Sequence, residues 1–200
     1  MTISIENEYV RYVIAADGTN QHFIDKRTGT DYCVLNTSSS SFACVKKGGQ
    51  TINASTASDA DGRITVRFGR TGVSAVIGVT VKKHYFVLEV LSVTGEAVEE
   101  LTFVDLSLTV DGTPEAPFAG CALALNLQTY VPELPRANNR LRAMCYARFG
   151  FAGAKVALIG CPQSELRRVM QAVVSDAEDL PHSPIGGPWA LDTAINRGSY

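Results

Sequence analysis

The chain has 200 residues, of which 46% are hydrophobic, and 18 Lys and Arg against 20 Asp and Glu give a formal net charge of −2. This balance is typical of one compact domain that buries its core without help from disulfides or metal, and it excludes intrinsic disorder and a coiled coil. Basic residues never run beyond two together, so nucleic acid is not expected as a partner. Since no apolar run reaches about 18 residues, no membrane span is expected either.

The five cysteines lie far apart, and none forms the C-x-x-C pair of a zinc site or a redox motif. The three histidines are equally dispersed, so the sequence predicts neither a metal nor a cofactor. Free, mostly buried thiols and a start that does not resemble a signal peptide favour a cytoplasmic location. A secreted protein whose leader has been removed is the alternative. The cysteines are Cys33, Cys44, Cys121, Cys145 and Cys161.

Short stretches of β-branched and aromatic residues dominate the first 160 residues, and clusters of Gly, Asn or Asp interrupt them at intervals of about ten residues. This rhythm predicts a mainly all-β fold, a two-sheet antiparallel β-supersandwich. Gly18, Gly29 and Gly62 mark hairpin turns, and the Lys-Lys-Gly-Gly run at 46–49 indicates another turn instead of a phosphate-binding loop. The predicted strands are 3–6, 9–15, 21–25, 32–35, 42–45, 63–68, 73–82, 84–93, 101–110, 121–127, 141–149 and 155–159.

One segment changes the period of the apolar pattern from strand to helix. Apolar residues from Leu166 to Val174 recur at i, i+3, i+4, i+7 and i+8, and Pro162 suits a first helical turn. The pattern predicts one C-terminal helix near residues 162–175. The Pro- and Gly-rich stretch that follows cannot form a helix or a central strand. We therefore expect a β-sandwich domain over 1–179 and an extended linker over 180–200.

The opening hairpins carry motifs of a known superfamily. The residues Glu6-Asn7-Glu8-Tyr9-Val10-Arg11 match E-N-x-Y-x-R, and the run from Phe23 to Gly29 matches F-x-D-K-x-T-G. This pattern resembles the galactose mutarotase-like β-sandwiches, many of which precede the catalytic part of glycoside hydrolases and polysaccharide lyases. The stretch VALIGCPQSELRRVMQAV, with LPHSPIGGPWA and NRGSY after it, is similar to the sandwich-to-barrel junction of large glycoside hydrolases.

This resemblance implies that the chain is the N-terminal sandwich of a glycoside hydrolase. It also implies that a (β/α)₈ catalytic barrel begins shortly after Tyr200. The chain lacks the catalytic His and Glu signature of the mutarotase enzymes, so the resemblance implies no catalytic residue within it.

Two acidic residues on neighbouring predicted strands form a candidate carbohydrate-binding pair. Alternation places Glu89 on the same face as the apolar Tyr85 and Val87. If the chain closes a symmetric hairpin through 94–100, Glu89 lies opposite Asp105. Two like charges in that position need a cation, a shared proton or a ligand hydroxyl to offset their repulsion. The alternative is a different register or a solvated sheet face.

Trp189 and His182 are the second candidate for sugar binding. The apolar face of a pyranose stacks on tryptophan while its hydroxyls bind polar groups. Both residues lie in the Pro-rich segment, where they are expected to line a cleft toward the next domain. The alternative is that Trp189 anchors the linker on the sandwich.

The sequence therefore predicts a non-catalytic accessory sandwich that supports a catalytic barrel and lends a loop to its sugar cleft. Its expected partners are a carbohydrate and the catalytic domain of the same chain. A stand-alone carbohydrate-binding or mutarotase-like module and a purely structural or oligomerising domain are the alternatives. Fold by itself does not choose among them.

Overall fold

A computed structural model describes residues 2–34, 40–110 and 116–177 of the chain. Within these ranges it contains strands, two short 3-10 turns at Ala147–Phe149 and Gln163–Glu165, and the helix α1 at Leu166–Asp176. The strands are β1 Ile3–Glu6, β2 Val10–Ile14, β3 Asn20–Asp25, β4 Cys44–Lys47, β5 Gln50–Asn53, β6 Thr56–Ala60, β7 Arg63–Phe68, β8 Val73–Val81, β9 Tyr85–Thr94, β10 Val98–Ser107, β11 Phe118–Ala124, β12 Arg140–Tyr146 and β13 Lys155–Pro162.

The strands form three antiparallel sheets, ordered β1-β2-β3, β12-β10-β4-β5 and β11-β13-β9-β8-β7-β6. Tyr32 joins the first two sheets, because its N–H donates to Phe23 and its carbonyl accepts from Thr109. These two sheets therefore act as one layer, and the six-stranded sheet is the other. The predicted antiparallel two-layer sandwich is confirmed, with one layer divided into two smaller sheets.

A single hydrophobic core lies between the layers and takes side chains from all three sheets. Phe23, Phe103 and Phe86, one from each sheet, are fully buried in it. Along β2 the buried Val10, Tyr12 and Ile14 alternate with more exposed residues, which is the pattern of a strand with one face against a core. Burial of this apolar surface is the main force that holds the layers together.

Helix α1 packs on the outer face of the six-stranded sheet. Val169 and Val173 are buried there in a second cluster with Ile159 and Cys161. The predicted C-terminal helix is confirmed, but its first turn differs. Pro162 does not begin the helix: it is the last residue of β13 and pairs with Phe118 of β11.

The hairpin turns lie where the sequence predicts them, and two polar strands were missed. Asp61 and Gly62 connect β6 to β7, both with positive φ, and Gly48 and Gly49 connect β4 to β5. Strands β5 and β6 have little apolar pattern and were not predicted. Residues 32–35, predicted as a strand, make only single bridges where they are described.

The predicted linker at 180–200 lies outside the described residues. No helix in the described part of the chain is long and apolar enough to cross a membrane.

Candidate functional site

Glu89 and Asp105 lie in opposite layers of the sandwich, so the predicted pairing of the two carboxylates is wrong. Glu89 is on β9 in the six-stranded sheet, where it pairs with Lys155 of β13. Asp105 is on β10 in the four-stranded sheet, where it pairs with Arg142 of β12. The two residues therefore belong to separate surfaces.

The connection between β9 and β10 is the physical reason for this difference. Gly95 and Ala97 both have positive φ, at 111° and 56°. With these two residues the chain leaves the six-stranded sheet and enters the four-stranded sheet, instead of closing a hairpin. Short-range alternation predicts both strands correctly but says nothing about a change of layer.

Glu89 lies beside a cavity of 230 Å³ between β9 and the end of α1. Its carboxylate is 3.8 Å from the Lys155 ammonium. On the same face the Tyr85 hydroxyl donates to Asp176 at 2.7 Å, and burial, with this hydrogen bond, raises the pKa of Tyr85. The hydrogen bond between Tyr85 and Asp176 fastens the end of the helix to the sheet, so these polar groups of the cavity serve to hold the helix.

Asp105 lies in a different cavity, of 280 Å³, on the outer face of the four-stranded sheet. This face is polar, in contrast to the apolar face that the same strands turn toward the core. We call it the sheet-face cavity. Its lining includes Asp105, Thr102, Asn53, Glu100, Arg140 and Arg142.

A β-bulge in β10 positions the two innermost polar side chains of this cavity. Thr102 pairs with Met144, but the next pair joins Val104 to Ala143, so Phe103 is the extra residue. Without the bulge, Thr102 and Asp105 would lie on opposite faces, because side chains alternate along a strand. With it, both line the same cavity, and Asp105 is only 9% exposed.

Two arginines of β12 hold carboxylates at the sheet-face cavity. Arg140 donates from Nε and Nη2 to the two oxygens of Asp105 at 3.0 and 2.8 Å, a bidentate pair that raises the pKa of Arg140. Arg142 donates to Glu133 at 2.8 Å. Such planar charge-assisted pairs fix the orientation of both side chains. The orientations of Asp105 and Arg140 within the cavity are thus fixed.

Aromatic side chains continue this surface beyond the polar cavity. Tyr130 exchanges backbone hydrogen bonds with Met144 at the free edge of β12, which places the two side chains on the same face of the sheet. Tyr146, two residues further along β12, has its ring centroid 6.4 Å from that of Tyr130. We call Tyr130 and Tyr146 the aromatic corner.

The backbone positions of Glu100 and Asp105, the two acidic residues that line the sheet-face cavity, are farther apart than the acid and base carboxyl groups of a glycosidase. Glu100 and Asp105 are four paired steps apart along β10, which at about 3.3 Å per step is about 13 Å. Acid and base carboxyl groups of glycosidases are only about 5 to 9.5 Å apart. Among the described residues, no group of three or more His, Cys, Asp or Glu could hold a metal ion.

The predicted sugar-binding residues have different outcomes in the structure. Asp105 lies in a polar cavity, Glu89 lies in another, and His182 and Trp189 are outside the described residues. Arg140 and Arg142 were not predicted. Their signal was present, because they alternate with the apolar Leu141 and Ala143 and so mark a polar face on a strand.

No protein-family model matches the chain, and no curated protein shows a significant match to it. Among solved structures, the crystal structure of a galactose mutarotase-like protein from Lactobacillus casei ATCC 334 is similar, at 15% sequence identity and a TM-score of 0.37. The similarity covers 71% of this chain and 67% of that chain. It concerns the fold alone and says nothing about activity.

Proposed function

We propose that this β-sandwich is a non-catalytic, carbohydrate-binding accessory domain of a carbohydrate-active enzyme, and that the sheet-face cavity is its sugar site. The observation that carries the proposal is the fixed Asp105–Arg140 pair, which lines one cavity with Thr102 and Asn53 and is followed along β12 by aromatic rings. Polar groups of fixed orientation suit the hydroxyls of a sugar ring in the cavity, and the aromatic rings further along the strand suit the apolar face of another sugar.

The size and chemistry of the cavity fit one sugar ring. At 280 Å³ it is close to the lower end of the range for small-molecule sites, about 300 to 1,000 Å³. Asp105 accepts hydrogen bonds, Arg140 donates them, and Thr102 and Asn53 do both. Because a sugar hydroxyl both donates and accepts, this mixture can satisfy neighbouring hydroxyls of one ring.

The accessory role is proposed because the cavity offers no evident acid and base pair of carboxyl groups among the described residues. Asp105 is held by Arg140 and Glu133 by Arg142, and carboxylates engaged in such ion pairs favour a binding role over acid and base catalysis. A catalytic neighbour in the same chain is proposed from the similarity of the C-terminal segment to sandwich-to-barrel junctions. In this proposal a loop of the sandwich also contributes to the sugar cleft of that neighbour.

Saccharide titration with a matched pair of variants tests the sugar site. Arg140→Gln removes the bidentate partner of Asp105, whereas Arg27→Gln removes the equivalent partner of the buried Asp25, outside the cavity lining. We expect titration calorimetry with neutral monosaccharides and oligosaccharides to show binding to the unmodified chain. Arg140→Gln should weaken it by at least about tenfold, because a hydrogen bond from a charged group contributes about 1.5 to 3 kcal/mol.

The Arg27→Gln variant controls for general loss of an ion pair and should bind sugar like the unmodified chain. Absence of any saccharide response, or equal weakening by both substitutions at unchanged melting temperature, would contradict the sugar site. Mutarotation of a sugar by the chain alone would instead support the stand-alone mutarotase-like module.

A further inference from the structure

We infer that the ligand of this surface is a neutral oligosaccharide several units long, bound along β12 from the sheet-face cavity to the aromatic corner. This inference rests on the proposed function and adds the substrate class to it. The observation that supports it is that the polar sheet-face cavity and the aromatic corner adjoin each other on the same face of β12.

The first step is that the two surfaces are joined without a break. Arg140, Arg142, Met144 and Tyr146 are alternate residues of β12, and all four are more exposed than the core-facing residues between them. Met144 lines the sheet-face cavity and is also the bridge partner of Tyr130. A ligand that leaves the cavity along β12 therefore reaches the aromatic corner directly.

The second step is the length of this surface. From Arg140 to Tyr146 there are six residue steps, which at about 3.3 Å per step is about 20 Å. A single sugar ring bound beside the Asp105–Arg140 pair, at the far end of this surface, cannot contact the aromatic corner at the same time. The surface therefore fits a chain of sugars, with one unit in the cavity and later units on the tyrosines.

The third step is that the aromatic corner is exposed and held in place. Tyr130 is 50% exposed and Phe149, which lies beside the corner on the turn after β12, is 54% exposed, so aromatic ring surface is available to a ligand here. The Arg148 guanidinium lies 5.6 Å from the Tyr146 ring centroid and 4.6 Å from that of Phe149. These cation–π contacts restrain the rings before a ligand arrives, which lowers the entropy lost on binding.

The fourth step is the charge of the ligand. Arg140 and Arg142, the two guanidinium groups that line the sheet-face cavity among the described residues, each already face a carboxylate. An acidic sugar would have to compete with Asp105 and Glu133 for these groups. A neutral sugar adds hydrogen bonds without breaking either pair, so the cavity favours a neutral sugar unit.

The test compares affinity across ligand length. The probes are glucose, mannose, galactose and xylose, with their β-1,4-linked oligomers of two to six units, titrated by calorimetry. We expect the best hexamer to bind at least about tenfold more tightly than its monomer. Tyr130→Ala should remove most of that gain and leave the affinity for the monomer unchanged, whereas Arg140→Gln should weaken both.

Tyr9→Ala is the matched control, because Tyr9 is also a partly exposed ring but stacks on His84 away from this face. It should leave every affinity unchanged. Equal affinity for monomer and hexamer, both lost in Arg140→Gln, would overturn the oligosaccharide inference and leave the sugar site intact. Equal weakening of monomer and hexamer by Tyr130→Ala would also overturn it. No binding by any probe would overturn the proposed function itself.

Discussion

At Gly160 the two layers of the sandwich approach each other closely. A Cβ atom at this position of β13 would lie 2.6 Å from a methyl of Val10 and 2.7 Å from the ring of Phe23. Both neighbours are fully buried, so neither can move aside without disturbing the core. The absence of a side chain at Gly160 is therefore required by packing between β13 and the opposite layer.

We predict that Gly160→Ala destabilises the protein by about 1 to 3 kcal/mol, the usual cost of overpacking a filled core. Gly78→Ala is the control, since the nearest atoms to a Cβ there belong to the exposed Leu91 side chain, at 3.3 Å. It should change the free energy of unfolding by less than about 0.5 kcal/mol. Urea denaturation of both variants measures the difference, and equal stabilities would contradict this account of the layer contact.

At the scale of the element, helix α1 depends on one buried stripe. Val173 is 1% exposed and packs in the cluster between the helix and the six-stranded sheet, whereas its neighbour Val174 is 45% exposed. Successive helical residues point about 100° apart, so adjacent valines have different environments. This pair separates the packing contribution of a valine from its effect on the helix itself.

Val173→Ala should lower the free energy of unfolding by about 1 to 3 kcal/mol, because it leaves a cavity against the sheet. Val174→Ala removes the same atoms from a solvent-exposed position and replaces valine with a better helix former, so its effect should be near zero or slightly stabilising. Thermal and urea unfolding of the two variants provide the measurement. A large loss for Val174→Ala would show that this side chain is covered by another part of the protein.

How well the elements could be predicted depended on their apolar pattern. Helix α1 was predicted because five apolar residues recur at helical spacing, and β7 and β8 because β-branched residues fill them. Strands β5 and β6 were missed because their polar residues show little alternation. Among the described strands, β5 pairs with β4 alone and β6 with β7 alone, and the local sequence pattern does not show such pairing.

At the scale of the whole molecule, the candidate site depended on contacts that local pattern does not contain. The alternation of Arg140 and Arg142 with apolar residues indicates the polar face of β12. The position of β10 beside β12 could not be predicted, because it depends on the change of layer after β9. The bulge at Phe103, which turns Asp105 toward the cavity, is a second such contact-dependent feature. Asp105 was identified for a pairing that does not exist, although it does lie in a polar cavity.

The distribution of cysteines makes the stability of the whole sandwich measurable. Burial raises the pKa of all five thiols, to about 12 for Cys33, Cys145 and Cys161 and to about 11 for Cys121, so at pH 8 each reacts slowly. Access therefore separates them: Cys121, Cys145 and Cys161 are buried and should not react in the folded state. Cys33 and Cys44 are only half-buried, so they are the two that a reagent can reach first.

We predict that a thiol reagent such as 5,5′-dithiobis(2-nitrobenzoic acid) labels Cys33 and Cys44 in a first phase and the other three only as the protein unfolds. The rate at which the three buried cysteines are labelled should then measure how often the sandwich opens. Val173→Ala should accelerate this labelling by about tenfold for each 1.4 kcal/mol of lost stability, since Cys121 and Cys161 share its cluster. Mass spectrometry of the labelled peptides identifies each site. Labelling of Cys121 or Cys161 in the first phase would show that the helix opens independently of the sandwich.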